Sequence, residues 1–412
     1  MNLYEYEGKE LFQAEGIPIP PGKVVSSSSE IKDPNLPAIV KAQILAGKRG
    51  KTGLIIPCKR IDELKEAVNK LIGKDVNGQK IEKVLVEKYL IDKSAEYYLS
   101  ITYHTQSRTP IVLVSKKGGV DVEELATDPG TIKTLPINPF LGFHPWMARQ
   151  ILAEAGFSGI HFLSLTKILI SLWNVFTKYD ARLVEINPLI ETEGEDFYAA
   201  DAKVILDDEA DFHRTNFELP ARNPLGIAPS EAESLAKEID KNDHRGSAGS
   251  AYIELDGDIA IIAAGGGGSM VNMDALIALG GKPANYTEHS GNPPAEKLEK
   301  LTKIVLSKEG LNGCWFVGAT ANFTDIYETL AGFVDGLRSI KPKPAYPIVV
   351  RRGGPRYQEA FEMLKEVDKK EGFDFHIFGP ETPMTSTAKI VVDLVNSYKK
   401  KRSSTRARRV RT

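Results

Sequence analysis

A chain of 412 residues is longer than one ordinary hydrophobic core supports, so two or three domains are expected. Its 42% hydrophobic and 26% charged content is that of a globular protein, and no apolar run reaches the roughly 18 to 20 residues of a membrane span. The formal charge of −2 hides an asymmetry: residues 399 to 411 hold eight Lys and Arg and no acid, a +8 segment that leaves −10 on the remainder. The plain reading of 399–412 is a basic disordered tail; nothing in the body repeats the pattern, so no nucleic-acid partner is expected. The opening residues Met1 to Glu7 carry acids and no apolar stretch, so no secretory leader is expected. The two cysteines, Cys58 and Cys314, lie far apart in no metal-type spacing, which points to a reducing, cytoplasmic setting.

In chain order, Ile39 to Lys41, Val84 to Glu87, Ile111 to Val114 and Arg182 to Ile190 read as strands. Ile61 to Leu71 reads as an amphipathic helix and Leu165 to Phe176 as a mostly buried one. A polar, proline-bearing stretch from Asn216 to Pro224 opens a linker at 216–250 that includes a short helical patch at Ser230 to Ile239. From residue 258 strands and helices alternate regularly: strands at 259–264, 315–318, 348–351 and 375–378, helices at 269–279, 296–306, 325–338, 357–367 and 388–398. That alternation predicts a doubly wound parallel sheet, whose ligands collect at the carboxyl ends of the strands. The organisation expected is one α/β domain at 1–215, the linker, a second at 251–398 and the tail.

Two segments of the first domain carry chemistry. Lys41 ends a strand just before Gly47-Lys48-Arg49-Gly50, where glycines open the backbone to phosphate oxygens and the cations supply charge. A solvated basic hairpin would look the same, and the P-loop pattern is absent. Further on, Val184 to Leu189 and Tyr198 to Lys203 flank a turn at Gly194, which predicts an antiparallel hairpin. With the turn centred on Gly194, facing residues have numbers that sum to 388, so Asn187 faces Asp201 with Cβ atoms within about 5.5 Å. An amide oxygen beside a carboxylate suits Mg²⁺ shared with nucleotide phosphates, and Glu185 adds an acid on the same face. Pro188 inside the strand predicts an edge or a bulge.

The order Lys41, the Gly47 to Gly50 loop, Glu87, Glu96, Glu185 to Leu189 and Asp201 resembles an ATP-grasp domain. More narrowly, with the Met1-Asn2-Leu3-x-Glu5-Tyr6 opening, it resembles the β subunit of succinyl-CoA synthetases. The resemblance implies that Lys41, Lys48, Arg49 and Gly50 contact ATP phosphates and that Glu87 and Glu96 hold the nucleotide. It further implies that Asn187 and Asp201 bind Mg²⁺, and that Glu185 orients a histidine phosphorylated on a partner subunit.

In the second domain, Ile261 to Met270 reads as strand, glycine run and helix, an anion-binding arrangement through Gly266, Gly267, Gly268 and Ser269. Three loops fall beside it at strand ends: Tyr286 to Pro293, Gly318 to Thr324 and Arg351 to Pro355. Ser290, Gly291, Asn322, Thr324 and the bidentate fork of Arg352 make an inventory suited to a polycarboxylate. His289 and His376 read as polar loop or core residues.

These loops, with the Arg351 to Glu359 run and Gly379 to Thr385, resemble the amino-terminal region of ATP-citrate lyases over almost the whole chain to about residue 395. What is implied is the smaller subunit of a heteromeric enzyme of that family: an ATP-grasp domain followed by a flavodoxin-like doubly wound domain that binds citrate. ATP, Mg²⁺ and CoA are the implied cofactors. The partner would be a larger subunit carrying the phosphorylated histidine, the CoA-binding domain and a citrate-synthase-like lyase module. A citryl-CoA synthetase subunit, a succinate–CoA ligase β subunit and a non-catalytic scaffold subunit are the alternatives. The animal enzymes have a tyrosine lining citrate that has no match here; by spacing its position is Ile340.

Overall fold

The computed structural model describes residues 1–32, 34–45, 52–76, 79–120, 130–159, 161–214, 219–220, 222 and 228–409, with 211 and 404–409 described by backbone alone. The chain divides into two compact units, Met1–Ile227 and Ala228–Thr412. No helix among the described residues is long and apolar enough to cross a membrane.

The first unit begins with α1 (Glu5–Ala14), β1 (Gly22–Val25), β2 (Ala38–Ala42), β3 (Ile55–Cys58) and α2 (Ile61–Leu71). A short pair, β4 (Asp75–Val76) and β5 (Gln79–Lys80), leads to β6 (Val84–Lys88). Strands β1, β6, β2 and β3, in that order, form an antiparallel sheet. Leu64, Ala67, Val68 and Leu71, at helical spacing on α2, are buried in its core. Next come β7 (Lys93–His104), β8 (Thr109–Ser115), β9 (Lys133–Pro136), α3 (Pro145–Glu154), α4 (His161–Lys178), β10 (Ala181–Thr192), β11 (Phe197–Ala199) and β12 (Lys203–Leu206). They build a second antiparallel sheet in the order β11-β10-β7-β8-β9, with β12 also on β10. Leu165, Ile168, Leu169, Leu172, Val175 and Phe176 of α4 supply much of its core.

Helix α1 has no apolar stripe to announce it. Its buried residues include Glu5, Glu7, Gly8 and Lys9 as well as Leu11 and Phe12, so its inward face is largely charged.

The second unit runs α5 (Glu231–Glu238), β13 (Ile253–Glu254), β14 (Ile259–Ala264), α6 (Gly266–Ala278), β15 (Asn285–Tyr286), β16 (Glu288–His289) and α7 (Ala295–Leu306). It continues with β17 (Gly313–Thr320), α8 (Ile326–Ser339), β18 (Ile348–Gly353), α9 (Tyr357–Glu371), β19 (Phe375–Phe378) and α10 (Ser386–Arg409). The sheet order is β16-β14-β17-β18-β19 and every neighbour is parallel, the flavodoxin-like 2-1-3-4-5 order. Alternation along the strands divides the core: Ala260, Ile262, Cys314 and Phe316 pack on one side, Ile259, Ile261, Trp315 and Val317 on the other.

Two boundaries differ from the sequence expectation. Residues 230–250 are not a bare linker: Ser230 and Glu233 cap α5 reciprocally, and Ala236, Ile239 and Ala248 belong to the core of the second unit. The basic segment after 398 is not irregular either, because α10 continues to Arg409. Its earlier turns are already seated through Ala388, Val391 and Val395, so extension escapes the cost of nucleation.

Asp240 ties the 240–250 loop to this unit. Its carboxylate accepts from the N–H groups of Ala248, Gly249 and Ser250 and from Lys297 Nζ at 3.1 Å. Burial pushes its pKa up, but those donors outweigh it and hold the carboxyl below its ordinary value. We predict that Asp240→Ala destabilises the second unit by about 2–4 kcal/mol, measured by urea unfolding. In the unsubstituted protein this contribution is present above the unfolded carboxyl pKa and lost as pH falls through the lower folded value, so the deficit of the variant should narrow at acid pH.

Candidate functional site

The hairpin register is the foundation of the first site. Leu189 pairs with Ala199 and Glu191 with Phe197, while Val184 pairs with Val204 and Glu185 with Lys203; each pair sums to 388. Asn187 and Asp201 fall in the gap between these two ladders, at the same register. The gap exists because of Pro188. Strand β10 is interior, with β7 on one side and β11 and β12 on the other, so the proline marks a bulge and not an edge. Pairing with β7 shifts between Ile186 and Leu189.

The bulge turns the Asn187 amide toward a neighbouring loop. Its Oδ1 accepts from Gly119 N at 2.8 Å and its Nδ2 donates to Val120 O at 2.9 Å. Both ends of the amide are thereby identified, and Oδ1 keeps a second lone pair. The same loop holds Glu96, whose carbonyl accepts from Gly118 N at 2.9 Å. Gly119, at φ +71°, has a backbone conformation that favours glycine, and a Cβ there would lie 2.3 Å from Glu96 Oε2 and displace that carboxylate. Asp201 Oδ1 accepts from Ala202 N at 2.8 Å.

No cluster of three or more His, Cys, Asp or Glu forms a metal cage among the described residues. An amide oxygen and a carboxylate from facing register positions would fit an ion such as Mg²⁺, which takes its remaining ligands from phosphates and water.

Lys41 and Glu87 lie on one face of adjacent strands, Nζ to Oε1 2.5 Å, and Lys41 also lies 3.0 Å from Glu5 Oε1. Its Nζ donates to the carbonyl of Ala200, next to Asp201. Burial pulls the Lys41 pKa down, but Glu5, Glu87 and Asp201 outweigh it and hold the ammonium above the ordinary lysine value. Lys41, Glu87 and the Asp201 segment are therefore brought together. Lys48, Arg49 and Gly50 lie outside the described residues.

Glu185 is half-buried and accepts from Tyr98 Oη at 3.1 Å. Burial raises its pKa, opposed by Lys203 and Tyr98 and assisted by Asp201. A step that needs the Glu185 carboxylate should lose rate as pH falls through this raised value. Removing the hydroxyl that stabilises the anion should move the acid limb to higher pH. We expect Tyr98→Phe to shift the acid limb of the pH–rate profile of such a step to higher pH, and Glu185→Gln to abolish that limb.

The second site gathers at the carboxyl edge of the parallel sheet. Helix α6 starts at Gly266, three residues earlier than its composition predicts, with Gly265 at φ +82° as its N-cap. The amides of Gly266, Gly267 and Gly268 are its first-turn donors. Ser269 is not one of them: its N–H and its hydroxyl both bond Gly265 O, at 2.8 and 2.7 Å. Ser290 and Ser247 exchange backbone bonds beside Gly291, and Thr324 Oγ1 donates to Gly291 O, so that hydroxyl proton is already engaged. Asn322 is exposed next to it. The loops after β16, β17 and β18 thus meet where the sheet order reverses.

Arg351 and Arg352 divide their roles. Arg351 spends its guanidinium on the carbonyls of Thr382, Gly318 and Pro380, a structural brace. Arg352 is only 2% exposed and bonds Ala319 O at 3.1 Å, but its Nε has no hydrogen-bond partner and no carboxylate pairs with it among the described residues. Burial, then Arg351, pulls its pKa down to about 10, which leaves it cationic at neutral pH. An uncompensated buried cation at a strand end is a receptor for an anion. His289 sits behind it in the core, 5.4 Å from the Phe316 ring between centroids, and burial followed by Arg352 lowers its pKa to about 3, so it stays neutral. His376 pairs with Asp374.

Ile340 lies at the C-cap of α8, packed against the core, with the helix starting at the Asn322–Asp325 end. A 14-residue helix spans about 21 Å. Ile340 therefore lies at the far end of α8 from Asn322 and Thr324, and does not face them.

A family model described as an ATP-grasp domain matches residues 2–191, and one described as ATP citrate lyase citrate-binding matches residues 228–394. The succinate–CoA ligase [ADP-forming] β subunit of Methanocaldococcus jannaschii is 34% identical over 370 residues, 89% of this chain and 94% of that one. The [GDP-forming] β subunit of Thermus thermophilus is 32% identical over 374 residues, 89% and 93% of the two chains. Among solved structures, the ATP citrate lyase of Methanothrix soehngenii in complex with citrate and coenzyme A superposes with a TM-score of 0.77 at 24% identity, covering 95% of this chain and 99% of that one. The chain thus belongs to the family of succinate–CoA ligase β subunits, with an ATP-grasp domain followed by a domain that matches the ATP citrate lyase citrate-binding model.

Proposed function

We propose that the protein is the ATP- and citrate-binding subunit of an ATP-citrate lyase, acting with a larger partner subunit. The observation that carries this reading is Arg352, a buried guanidinium without an acid partner among the described residues, near the carboxyl end of a strand in the parallel sheet whose first strand leads into the Gly266–Gly268 helix start. An arginine without an acid partner suits a carboxylate, and free first-turn amides suit a phosphoryl group, with the Glu288 carboxylate beside Gly266 limiting the positive potential there.

On this reading Lys41 and the Lys48–Gly50 loop bind ATP phosphates, Glu87 and Glu96 hold the nucleotide, and Asn187 and Asp201 hold Mg²⁺. The ion would neutralise phosphate charge. Glu185 accepts a hydrogen bond from a partner histidine, orienting its other ring nitrogen toward the γ-phosphorus; the P–O bond to ADP breaks as the P–N bond forms. At the second site the Gly266–Gly268 amides receive the phosphoryl group and Arg352 fixes the citrate carboxylate that accepts it. The CoA thiol then displaces phosphate to give citryl-CoA, and the partner's lyase module cleaves that to acetyl-CoA and oxaloacetate. Helix α6 supports a hetero-oligomer: Met270, Val271 and Ile277 leave its outer face apolar and at least 51% exposed, next to the glycine helix start. Buried, unpaired Cys58 and Cys314 accord with a cytoplasmic setting.

The names of the curated relatives favour a second reading, succinate–CoA ligase. Calorimetric titration of the full chain with citrate and with succinate separates the two. Citrate binding at least tenfold tighter is expected; succinate preferred would move the assignment to the ligase.

A further inference from the structure

Glu5 and Lys9 stand one turn apart on α1 and close a buried ring of alternating charge with Lys41 and Glu87. Lys9 Nζ lies 2.8 Å from Glu5 Oε1 and 2.6 Å from Glu87 Oε2, so each cation touches both anions. All four side chains are at least 93% buried. Both ammonium groups also converge on the carbonyl of Ala200, Lys9 at 2.9 Å.

The ring joins two structural parts. Leu11 and Phe12 anchor α1 in the core beneath the β7–β12 sheet, while Lys41 and Glu87 belong to the other sheet. A second tie runs beside it, Tyr6 N to Gln43 Oε1 at 3.1 Å. Buried charges stay where their partners hold them, so removing a member from α1 frees Lys41 to move relative to Ala200 and Asp201.

We infer that Glu5 and Lys9 are positioning residues of the nucleotide site: they hold Lys41 against the Ala200–Asp201 segment and thereby set the affinity for Mg·ATP. This rests on the nucleotide reading of Lys41 and Asp201. Neither residue touches nucleotide itself. The ring fixes the separation between a phosphate-binding cation on one sheet and a metal-binding carboxylate in the connection between two strands of the other.

The test measures Mg·ATP and citrate affinities on the same preparations of the full chain. Lys9→Met and Glu5→Gln should each weaken Mg·ATP at least tenfold and leave citrate affinity within twofold. The double variant E5Q/K9M keeps the site neutral, retains the Lys41–Glu87 pair and guards against misfolding of the single variants; it should show the same selective loss. Arg222→Met is the control, because Arg222 pairs with Glu7 on the same helix at similar burial without touching Lys41. It should leave Mg·ATP affinity within twofold. Undiminished Mg·ATP binding by E5Q/K9M, or an equal loss in Arg222→Met, would overturn the positioning role. If the unsubstituted chain binds no Mg·ATP, the nucleotide reading falls and this inference falls with it.

Discussion

Arg352→Met should make the protein more stable and unable to use citrate. Methionine fills similar space without a charge to desolvate; replacing even paired buried ions by apolar groups is neutral to about 1–4 kcal/mol stabilising, so an ion with no acid partner among the described residues should fall in that range. At roughly 2–4 °C per kcal/mol for a unit of this size, thermal unfolding should move up by several degrees. Citrate affinity should fall by at least about 30-fold, the lower bound for losing one partner of a buried charge pair, at about 1.4 kcal/mol per tenfold. Mg·ATP affinity should not change. The opposite sign in the stability change would mean that Arg352 is a packed structural arginine like Arg351, and would remove the main support for a carboxylate site. Differential scanning calorimetry with and without citrate reads both quantities on one sample.

Asp201→Asn should carry the second large effect. The substitution keeps shape and removes the carboxylate that, with Asn187, forms the only divalent-ion donor pair proposed. ATP-dependent phosphorylation of the partner should fall at least about 100-fold, beyond the ~10–100-fold typical of outer-shell changes at metal sites. Higher Mg²⁺ should restore part of the rate. Asn187→Ala should also lose Mg²⁺ affinity, and in addition release the Gly118–Val120 loop, visible as faster amide exchange at Gly119. A normal Mg²⁺ requirement in Asp201→Asn would show that the ion is held elsewhere.

Those expectations depend on how much of the site could be read before the fold was known. The register on either side of Asn187 and Asp201 was legible because strand pairing has a fixed arithmetic: with the turn centred on Gly194, the pairs from Leu183 to Glu185 and from Leu189 to Glu191 all sum to 388, and the ladder departs from it only at Ala181 with Leu206. The strand–helix alternation after residue 258 was equally legible, since the helices at 295–306, 326–339 and 357–371 each carry an apolar stripe that is buried against the sheet.

Helix α1 was not, for a physical reason. Periodicity detects apolar faces, and the inward face of α1 is Glu5, Glu7, Gly8 and Lys9, stabilised by long-range ion pairing that no local pattern encodes. The Glu5–Lys9 spacing of four was the one local signal available. Pro188 was read correctly as a disruption, but strand position in a sheet is a tertiary fact, so bulge and edge could not be separated. Ser269 and Thr324 have the right chemistry for a ligand, yet both hydroxyls donate to backbone carbonyls. Composition shows that a donor exists and not where it is spent. The two arginines of Arg351-Arg352 are indistinguishable in sequence; in the fold Arg351 bonds three carbonyls, while Arg352 bonds one and keeps its Nε without a partner.

The central claim is that this chain binds the acid and the nucleotide of a citrate-cleaving complex. The most direct measurement is ATP- and CoA-dependent turnover of the complex purified with its native partner, with oxaloacetate and acyl-CoA quantified separately for citrate and for succinate. The account predicts oxaloacetate and acetyl-CoA in equal amounts from citrate, and little product from succinate. Succinyl-CoA from succinate, with no oxaloacetate from citrate, would contradict it.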